Sequence, residues 1–394
     1  MKIGIITYAF HTSTMPLAKH LAELGNDVDL LCLTGSRSSD LFTIDLSHYN
    51  SSNGFIPKNK FEGIINKNIL TYLKILNDFN IFLYSKRRRN LYIDYLFQVF
   101  SLSRFLNSKK YDVIHFIGQN ELYSLLYRLL NPPKIFTFHE IEGPTVNGDL
   151  QKFPLVNLIS RKKNSVIFHS SNIKEKYLQN YVTRNRGIYV IKFGLFETYR
   201  LFPDQTKEEP KTVLYYGIIQ PYKGIEYLVA AFKLVKKDIP DIKLIIAGRG
   251  SIYFDVSTLK DDGIELINRT ISEEELVHLN NRATLVVCPY TSSSQSGIPV
   301  TSFVFNKPII ASNVQGLSEY VIDGFNGVLV PPCDSLSLAC EIKKLIVDEK
   351  LRKTIKRNIS QMNNKSQTTW TSIAEQTINV YLAEIQNSIA TNSK

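Results

Sequence analysis

The sequence predicts an α/β protein made of two Rossmann-like domains that face each other across a cleft. Three observations predict it. Short apolar runs alternate with amphipathic segments along the whole chain, the pattern of parallel sheets covered by helices. The 394 residues exceed one ordinary domain and suit two. Near the middle, LFPDQTKEEPK at 201–211 is charged, carries two prolines, and reads as a linker.

In the first half the apolar runs predict strands at 3–7, 28–32, 113–116, 135–138, 166–169 and 188–191. Helical segments are expected at 15–24, 69–77, 91–106, 122–130 and 173–181. The stretch 34–62 is polar, irregular and too long for a simple connection, so a mobile loop is expected there. After the linker, strands are expected at 213–216, 244–247, 264–267, 285–288, 308–312 and 328–330, with helices at 225–236, 273–280 and after Asp334. A polar spacer at 363–369 leads to an amphipathic closing helix at 370–385. The expected domains are 1–203, completed by a closing helix at 371–388, and 204–370.

Composition narrows the class. Apolar residues make up 44% of the chain, and no run approaches the ~20 needed to span a bilayer. The opening MKIGIITYAF reads as a first strand and lacks a small-residue cleavage site, so no signal peptide is expected. Cys32, Cys288, Cys333 and Cys340 form no CxxC pair, which fits reduced thiols in a cytoplasmic protein. The net charge of +11 lies entirely in residues 1–200, while 201–394 are balanced. An anionic neighbour is therefore expected for the first half. Within it, Lys86, Arg87, Arg88 and Arg89 precede the aromatic-rich NLYIDYLFQVFSLSRF. Residues 86–105 suit an anionic membrane surface at the inner face, or a helix packed on the sheet with its basic end in solvent. No nucleic-acid reading module accompanies the charge, so nucleic acid is not an expected partner.

Three segments of the second half carry candidate chemistry. CPYTSSSQSGIP at 288–299 runs from a strand through a polar loop to a helix opened by Gly297 and Pro299. Such a loop suits phosphate, because backbone N–H groups are unpaired there and the helix dipole favours negative charge. YGIIQPYKG at 216–224 has Gly217 and Gly224 for close backbone approach, and Lys223 at the start of a helix. The dipole disfavours a cation at that end, so Lys223 makes sense beside an anion, or else as a solvated surface lysine. Gly316-Leu317-Ser318-Glu319 follows the strand at 308–312. Glu319 is suited to accept from sugar hydroxyls, or is simply an acidic residue in a helix first turn. Elsewhere, Asp27-Val28-Asp29 is a DxD triplet that strand alternation explains without a metal. His115 and His169 end strands and read as structural, the histidines lack metal spacing, and no GxGxxG follows the first strand.

The second half resembles the donor domain of the retaining GT-B glycosyltransferases of family 4 (glycosyl transferases group 1). The matching segments are VLYYGIIQPYKGIEYLVAAF, KLIIAGRG, CPYTSSSQSGIP and KPIIASNVQGLSEYVIDGFNGVLVPPCD, spanning nearly all of 211–388 in order. The first half matches more loosely, through LAELGNDVDLL, YDVIHF, TFHE, SVIFHSSNIKEKYL and YVIKFG. The resemblance implies transfer of a sugar, with retention and without a metal or cofactor, from a nucleotide-sugar to a lipid-linked or growing saccharide in polysaccharide or glycoconjugate biosynthesis. It places Lys223 on the donor diphosphate. The loop with Tyr290, Ser294, Gln295, Ser296 and Gly297 would cradle sugar and phosphates. Gly217, Gly316, Leu317 and Glu319 would line the pocket, Arg249 and Gly250 would lie near the nucleotide, and His139 would lie against the transferred sugar. The chain departs from the common pattern in three ways. The paired glutamates are absent, with Ser292 or Ser294 and Ser302 at the nearby positions; Ile218 replaces an arginine; and Tyr8–Thr14 stands in place of the glycine-rich acceptor loop. This resembles a QSG-type branch without the glutamates. The departures leave two alternatives, a catalytically silent binding or partner subunit and a nucleotide-sugar epimerase of the same fold.

Overall fold

A computed structural model describes residues 1–8, 11–35, 54–84, 91–142, 152–257, 259, 263–365 and 369–392. The chain forms two compact units, Met1–Gly194 with Trp370–Lys394, and Leu195–Thr369.

The first unit contains β1 (Lys2–Tyr8), α1 (His11–Glu23), β2 (Asp27–Gly35), β3 (Gly54–Phe55), α2 (Lys67–Tyr72), β4 (Asp78–Tyr84), α3 (Leu91–Ser108), β5 (Val113–Ile117), α4 (Glu121–Leu129), β6 (Lys134–Phe138), α5 (Pro154–Ser160), β7 (Ser165–Phe168), α6 (Ser171–Asn180) and β8 (Gly187–Val190). The second contains β9 (Thr212–Tyr216), α7 (Ile225–Asp238), β10 (Lys243–Ala247), β11 (Ile264–Ile267), α8 (Glu273–Arg282), β12 (Leu285–Cys288), α9 (Ile298–Val304), β13 (Ile309–Ser312), α10 (Gln315–Ser318), β14 (Gly327–Val330), α11 (Ser335–Val347) and α12 (Glu349–Lys365). The closing helix α13 (Trp370–Asn392) returns to the first unit.

The sheets run β3-β4-β2-β1-β5-β6-β7-β8 and β11-β10-β9-β12-β13-β14. All recorded pairings are parallel except β3 with β4. Both faces of a parallel sheet are covered, so its strands read as unbroken apolar runs; β5, β7, β9, β12 and β13 are buried at every residue. Polar caps fix the helix starts: the side chains of Asn120, Ser170, Ser272 and Asp334 accept from the first-turn amides of α4, α6, α8 and α11.

The closing helix is tied to the first unit by specific contacts. The Trp370 ring lies so close to Gly194 that a Cβ there would sit 2.7 Å from it. The Tyr381 hydroxyl lies 2.8 Å from His115 Nδ1, and Ser165 Oγ donates to Glu384 at 2.7 Å.

Several sequence expectations change. The stretch 201–211 is no free linker, because its acids are held by the second unit. Glu208 accepts from Lys307 and Lys356 at 3.0 and 2.8 Å, and Glu209 from Arg282 at 2.9 Å. Residues 11–14, which precede the helix expected at 15–24, form the first turn of α1. The ends of the expected loop at 34–62 carry β2, β3 and a 3-10 turn at Lys58–Gly63, while 36–53 lie outside the described residues. Ala9, Phe10 and the basic run at 86–89 also lie outside them. Asp29 of the DxD triplet is 4% exposed and accepts from the Tyr111 hydroxyl at 2.8 Å and Asn77 Nδ2 at 2.6 Å, so strand packing uses this carboxylate.

Candidate active site

In the second sheet the strand order reverses between β9 and β12, and the loops leaving those two strands diverge at their carboxyl ends. A crevice at such a switch point is where doubly wound sheets bind ligands. Here close backbone approach brings the loops together. After β9, Pro221–Lys223 form a 3-10 turn that Gly224 ends at φ 63°. A Cβ on Gly224 would lie 2.0 Å from the Pro289 carbonyl oxygen, so only glycine fits. The Thr291 amide donates to the Tyr222 carbonyl at 2.9 Å and closes the seam between the loops.

This seam seats Lys223. Its Nζ lies 3.8 Å from the ring centroid of the buried Tyr290 and 4.8 Å from that of Tyr222. An ammonium group over two aromatic faces is held by the ring quadrupoles, each contact worth about 0.5–2 kcal/mol. Its charge is felt at the end of β12: burial pushes the Cys288 thiol up to about 12, and Lys223 acts against that rise. The Tyr290 hydroxyl lies 3.4 Å from Ser296 Oγ, which accepts from the Ile298 amide at 3.3 Å. Lys223, Tyr290, Ser296 and the mouth of α9 therefore form one contiguous wall.

The loop after β13 forms the second wall. The Gly316 amide donates to the Ser293 carbonyl at 3.0 Å, and Ser293 Oγ donates to the Gln295 carbonyl at 3.1 Å. A Cβ on Gly316 would lie 2.6 Å from the Gln295 nitrogen. Leu317 is buried in the core beneath, and Ser294 is half-buried beside Gln295. Arg249 and Gly250 are exposed on the loop after β10, where the Asn268 side chain holds both the amide and the carbonyl of Gly250 at 3.1 Å.

Two expectations about this site are corrected. The mouth of α9 offers fewer amide donors than the sequence suggests, since the Ile298 amide is taken by Ser296 and Pro299 has none. Glu319 does not lie in a helix first turn. It follows the last residue of the four-residue α10, where a helix dipole gives a carboxylate no support.

The departures from the common motif also have locations. Ser302 is fully buried within α9, donating to the Ile298 carbonyl at 2.9 Å and lying 3.2 Å from the Tyr216 hydroxyl. Ile218, beside Gly217, is exposed. Two residues of the walls, Tyr222 and Asn268, were not singled out from the sequence. The only signal for Tyr222 was its place next to Lys223.

His139 belongs to the first unit, directly after β6, and is 4% exposed. Its ring centroid is 4.9 Å from that of His169 and 5.5 Å from that of Phe193. Burial holds it well below the usual histidine range, so its imidazole is neutral.

Comparison with known proteins agrees with this architecture. The family model described as Glycosyltransferase Family 4 matches residues 11–195, and the model described as Glycosyl transferases group 1 matches 200–362. An uncharacterized glycosyltransferase of Methanocaldococcus jannaschii is 27% identical over 281 residues, covering 69% of this chain and 76% of that protein. The capsular polysaccharide biosynthesis glycosyltransferase CapM of Staphylococcus aureus is 26% identical over 279 residues, covering 64% and 72%. Among solved structures, sucrose-phosphate synthase from Thermosynechococcus elongatus superposes with a TM-score of 0.65 at 18% identity, covering 97% of this chain and 99% of that one. Anabaena HepE in complex with UDP gives a TM-score of 0.62 at 16% identity, covering 97% and 100%.

Proposed function

We propose that this chain, a glycosyltransferase of the GT-B fold, transfers a sugar with retention from a nucleotide-sugar to a lipid-linked or growing saccharide acceptor, without a metal. The observation that carries this reading is Lys223, fixed over Tyr290 at the β9/β12 switch point and contiguous with Ser296. A fixed ammonium group stabilises negative charge that grows on a departing diphosphate, and costs no reorganisation when the charge develops. The bond from the anomeric carbon to the diphosphate oxygen breaks, and the acceptor oxygen bonds to that carbon on the same face. The acceptor proton passes to an oxygen of the leaving phosphate. No protein nucleophile is required.

Thermal-shift screening with UDP, GDP and ADP tests the donor site. The expected result is a raised melting temperature with one base and little change with the others, because a ligand that binds only the native state stabilises it by mass action. A flat response to all three, even at millimolar concentration, would count against a nucleotide-sugar donor. Nucleotide binding with no turnover would favour the silent partner, and conversion of the donor without an acceptor would favour the epimerase.

The acceptor side of the reading rests on α3. Leu96, Phe97 and Phe100 are exposed on this helix, Phe97 at 73%, and exposed Arg104 follows at helical spacing. In the sequence the basic run at 86–89 shortly precedes this helix, in the half of the chain that carries all the excess charge. Apolar rings flanked by cations suit the headgroup boundary of an anionic bilayer. The wild-type protein is expected to sediment with phosphatidylglycerol vesicles in a salt-sensitive way, and the double variant Phe97→Ser, Phe100→Ser to lose most of that binding. Equal sedimentation with neutral phosphatidylcholine vesicles would contradict an electrostatic dock.

A further inference from the structure

The backbone of Gly297 does not explain why this residue is glycine. Its φ of −81° and ψ of −9° are open to other residues. A neighbour explains it. A Cβ at 297 would lie 2.7 Å from Cε2 and 3.2 Å from Cζ of Phe196, and the next nearest atom, at 3.9 Å, belongs to the same ring. The ring therefore rests directly on the backbone of Gly297, with no side chain between them.

Phe196 belongs to the segment that opens the second unit. The Glu197 amide donates to the Leu195 carbonyl at 2.7 Å, and Phe196 between them has the φ of −75° and ψ of 66° of an inverse γ-turn. A 3-10 turn, Glu197–Leu201, follows. In it Tyr199 is buried, with its ring centroid 6.2 Å from that of Phe305, the residue after α9. The segment thus meets α9 at both ends. The start of α9 is also pinned from β9: the Ile298 carbonyl accepts from the Tyr216 hydroxyl at 3.2 Å, and Ile298 Cδ1 would lie 3.4 Å from a Cβ on Gly217. Placing the segment here leaves polar groups stranded. Thr198 Oγ1, in the 3-10 turn, and Glu273 Oε1, on the helix α8 that packs against it, are buried without a hydrogen-bond partner among the described residues. Such groups are rare in native structures and mark placements held for another reason. Resting on the donor-site reading above, we propose that Phe196 is a positioning residue for the reaction. It acts through Gly297: the ring sets where the Ser296–Gly297 backbone stands, and so the distance of that wall from the diphosphate on Lys223.

The test is a double-mutant cycle on Phe196→Ala and Gly297→Ala, with Phe196→Leu beside it. It reads kcat and KM for UDP-glucose, GDP-mannose and ADP-glucose, affinity for UDP, GDP and ADP, and melting temperature. Phe196→Ala is expected to lower kcat for the accepted nucleotide-sugar by roughly 10- to 100-fold, the scale of loss when a reacting group is held about 1 Å out of place. Nucleoside diphosphate affinity should stay within about threefold, because Lys223 and the two rings that seat it are untouched. Phe196→Leu fills part of the space and should recover part of the rate. Gly297→Ala alone should lower kcat by a similar factor to Phe196→Ala, since the ring must move. In the Phe196→Ala background the same substitution should cost less than about threefold, because the new methyl group enters space the ring has left. A contact that serves stability alone predicts lower melting temperatures with kcat unchanged below the transition, and that result would overturn the proposal. So would losses at 196 and 297 that multiply as independent effects. Should Phe196→Ala fail to fold, Phe196→Leu takes its place in the cycle. Failure of the wild type to bind any of the three nucleoside diphosphates would overturn the donor-site reading together with this one, whereas normal wild-type turnover with an additive cycle would overturn this one alone.

Discussion

Lys223→Ala is expected to lower nucleotide-sugar turnover by roughly 10²- to 10³-fold, the usual consequence of removing one preorganised stabiliser of developing charge. The melting temperature should fall by roughly 2–15 °C, because the stacking of the ammonium group on Tyr290 and Tyr222 is worth about 1–4 kcal/mol in all and each 1 kcal/mol shifts a unit of this size by about 2–4 °C. The loss should appear in kcat as well as in KM. Charge on the bridging oxygen is greater in the transition state than in the bound donor, so the ammonium group acts more strongly there. Lys223→Arg keeps the charge and can still stack on Tyr290, but it spreads that charge over a wider plane and a longer side chain than a compact ammonium, so partial recovery is expected. Initial rates of donor hydrolysis and of transfer to a membrane acceptor measure both variants. Turnover within fivefold of wild type in Lys223→Ala would remove the main support for the proposed mechanism.

The parts of this arrangement that were legible in the sequence share a cause. A strand buried on both faces leaves an unbroken apolar run, so β9, β10 and β12 were readable to within a residue from their composition. Gly297 and Pro299 marked the start of α9 because cap and first-turn positions have strong residue preferences. The strand β4 was not read as one. Its DFNIFLY runs directly toward a basic cluster and resembles the start of an amphipathic segment, and only its pairing with β2 settles the matter. The start of α1 was hidden for a different reason. Its polar first turn, HTST, has no apolar period to announce a helix, and it is held by burial of His11, Ser13 and Thr14. At the site, the residue types were readable but their partners were not. Nothing local in the sequence says that Lys223 rests on Tyr290, or that Gly316 presses on Gln295. Those contacts join segments 67 and 21 residues apart, and the sheet alone brings them together. The linker reading of 201–211 failed for the same reason, since Glu208 and Glu209 find their cations far along the chain.

Acidification should destabilise the two units unequally, and the first should fail well before the second. Three histidines of the first unit are buried, and a fourth, His169, is half-buried. Burial lowers His115 to about 3, His11 and His169 to about 4, and His139 well below the ordinary value near 6.5. They are packed by structure rather than by charge. His115 lies 2.8 Å from the Tyr381 hydroxyl and 2.7 Å from Thr137 Oγ1, and His169 Nδ1 donates to the Ile191 carbonyl at 2.6 Å. A histidine with a depressed folded value is neutral in the native state, while the unfolded chain takes up its proton below pH 6.5. The stability it contributes is therefore complete above pH 6.5 and is lost as pH falls toward 4. Each such group costs up to about 1.4 kcal/mol per pH unit in that window, so several acting together remove a sizeable part of an ordinary domain's stability. The second unit carries the opposite device. Glu273, 2% exposed at the start of α8, is raised to about 8 by burial, with Glu274 adding to the rise. A carboxyl with a raised folded value binds its proton more tightly in the native state, so its penalty is present at pH 8 and is relieved as pH falls toward 4.5. Calorimetry between pH 8 and 5 should show a first-unit transition that falls steeply below pH 6.5, and a second-unit transition that holds or rises. Glu273→Gln should raise the second transition at pH 8 and leave it nearly unchanged at pH 5. Two transitions that shift in parallel across this range, or a first-unit transition that is flat from pH 7 to 5, would show that the buried imidazoles do not govern the acid limit of this fold.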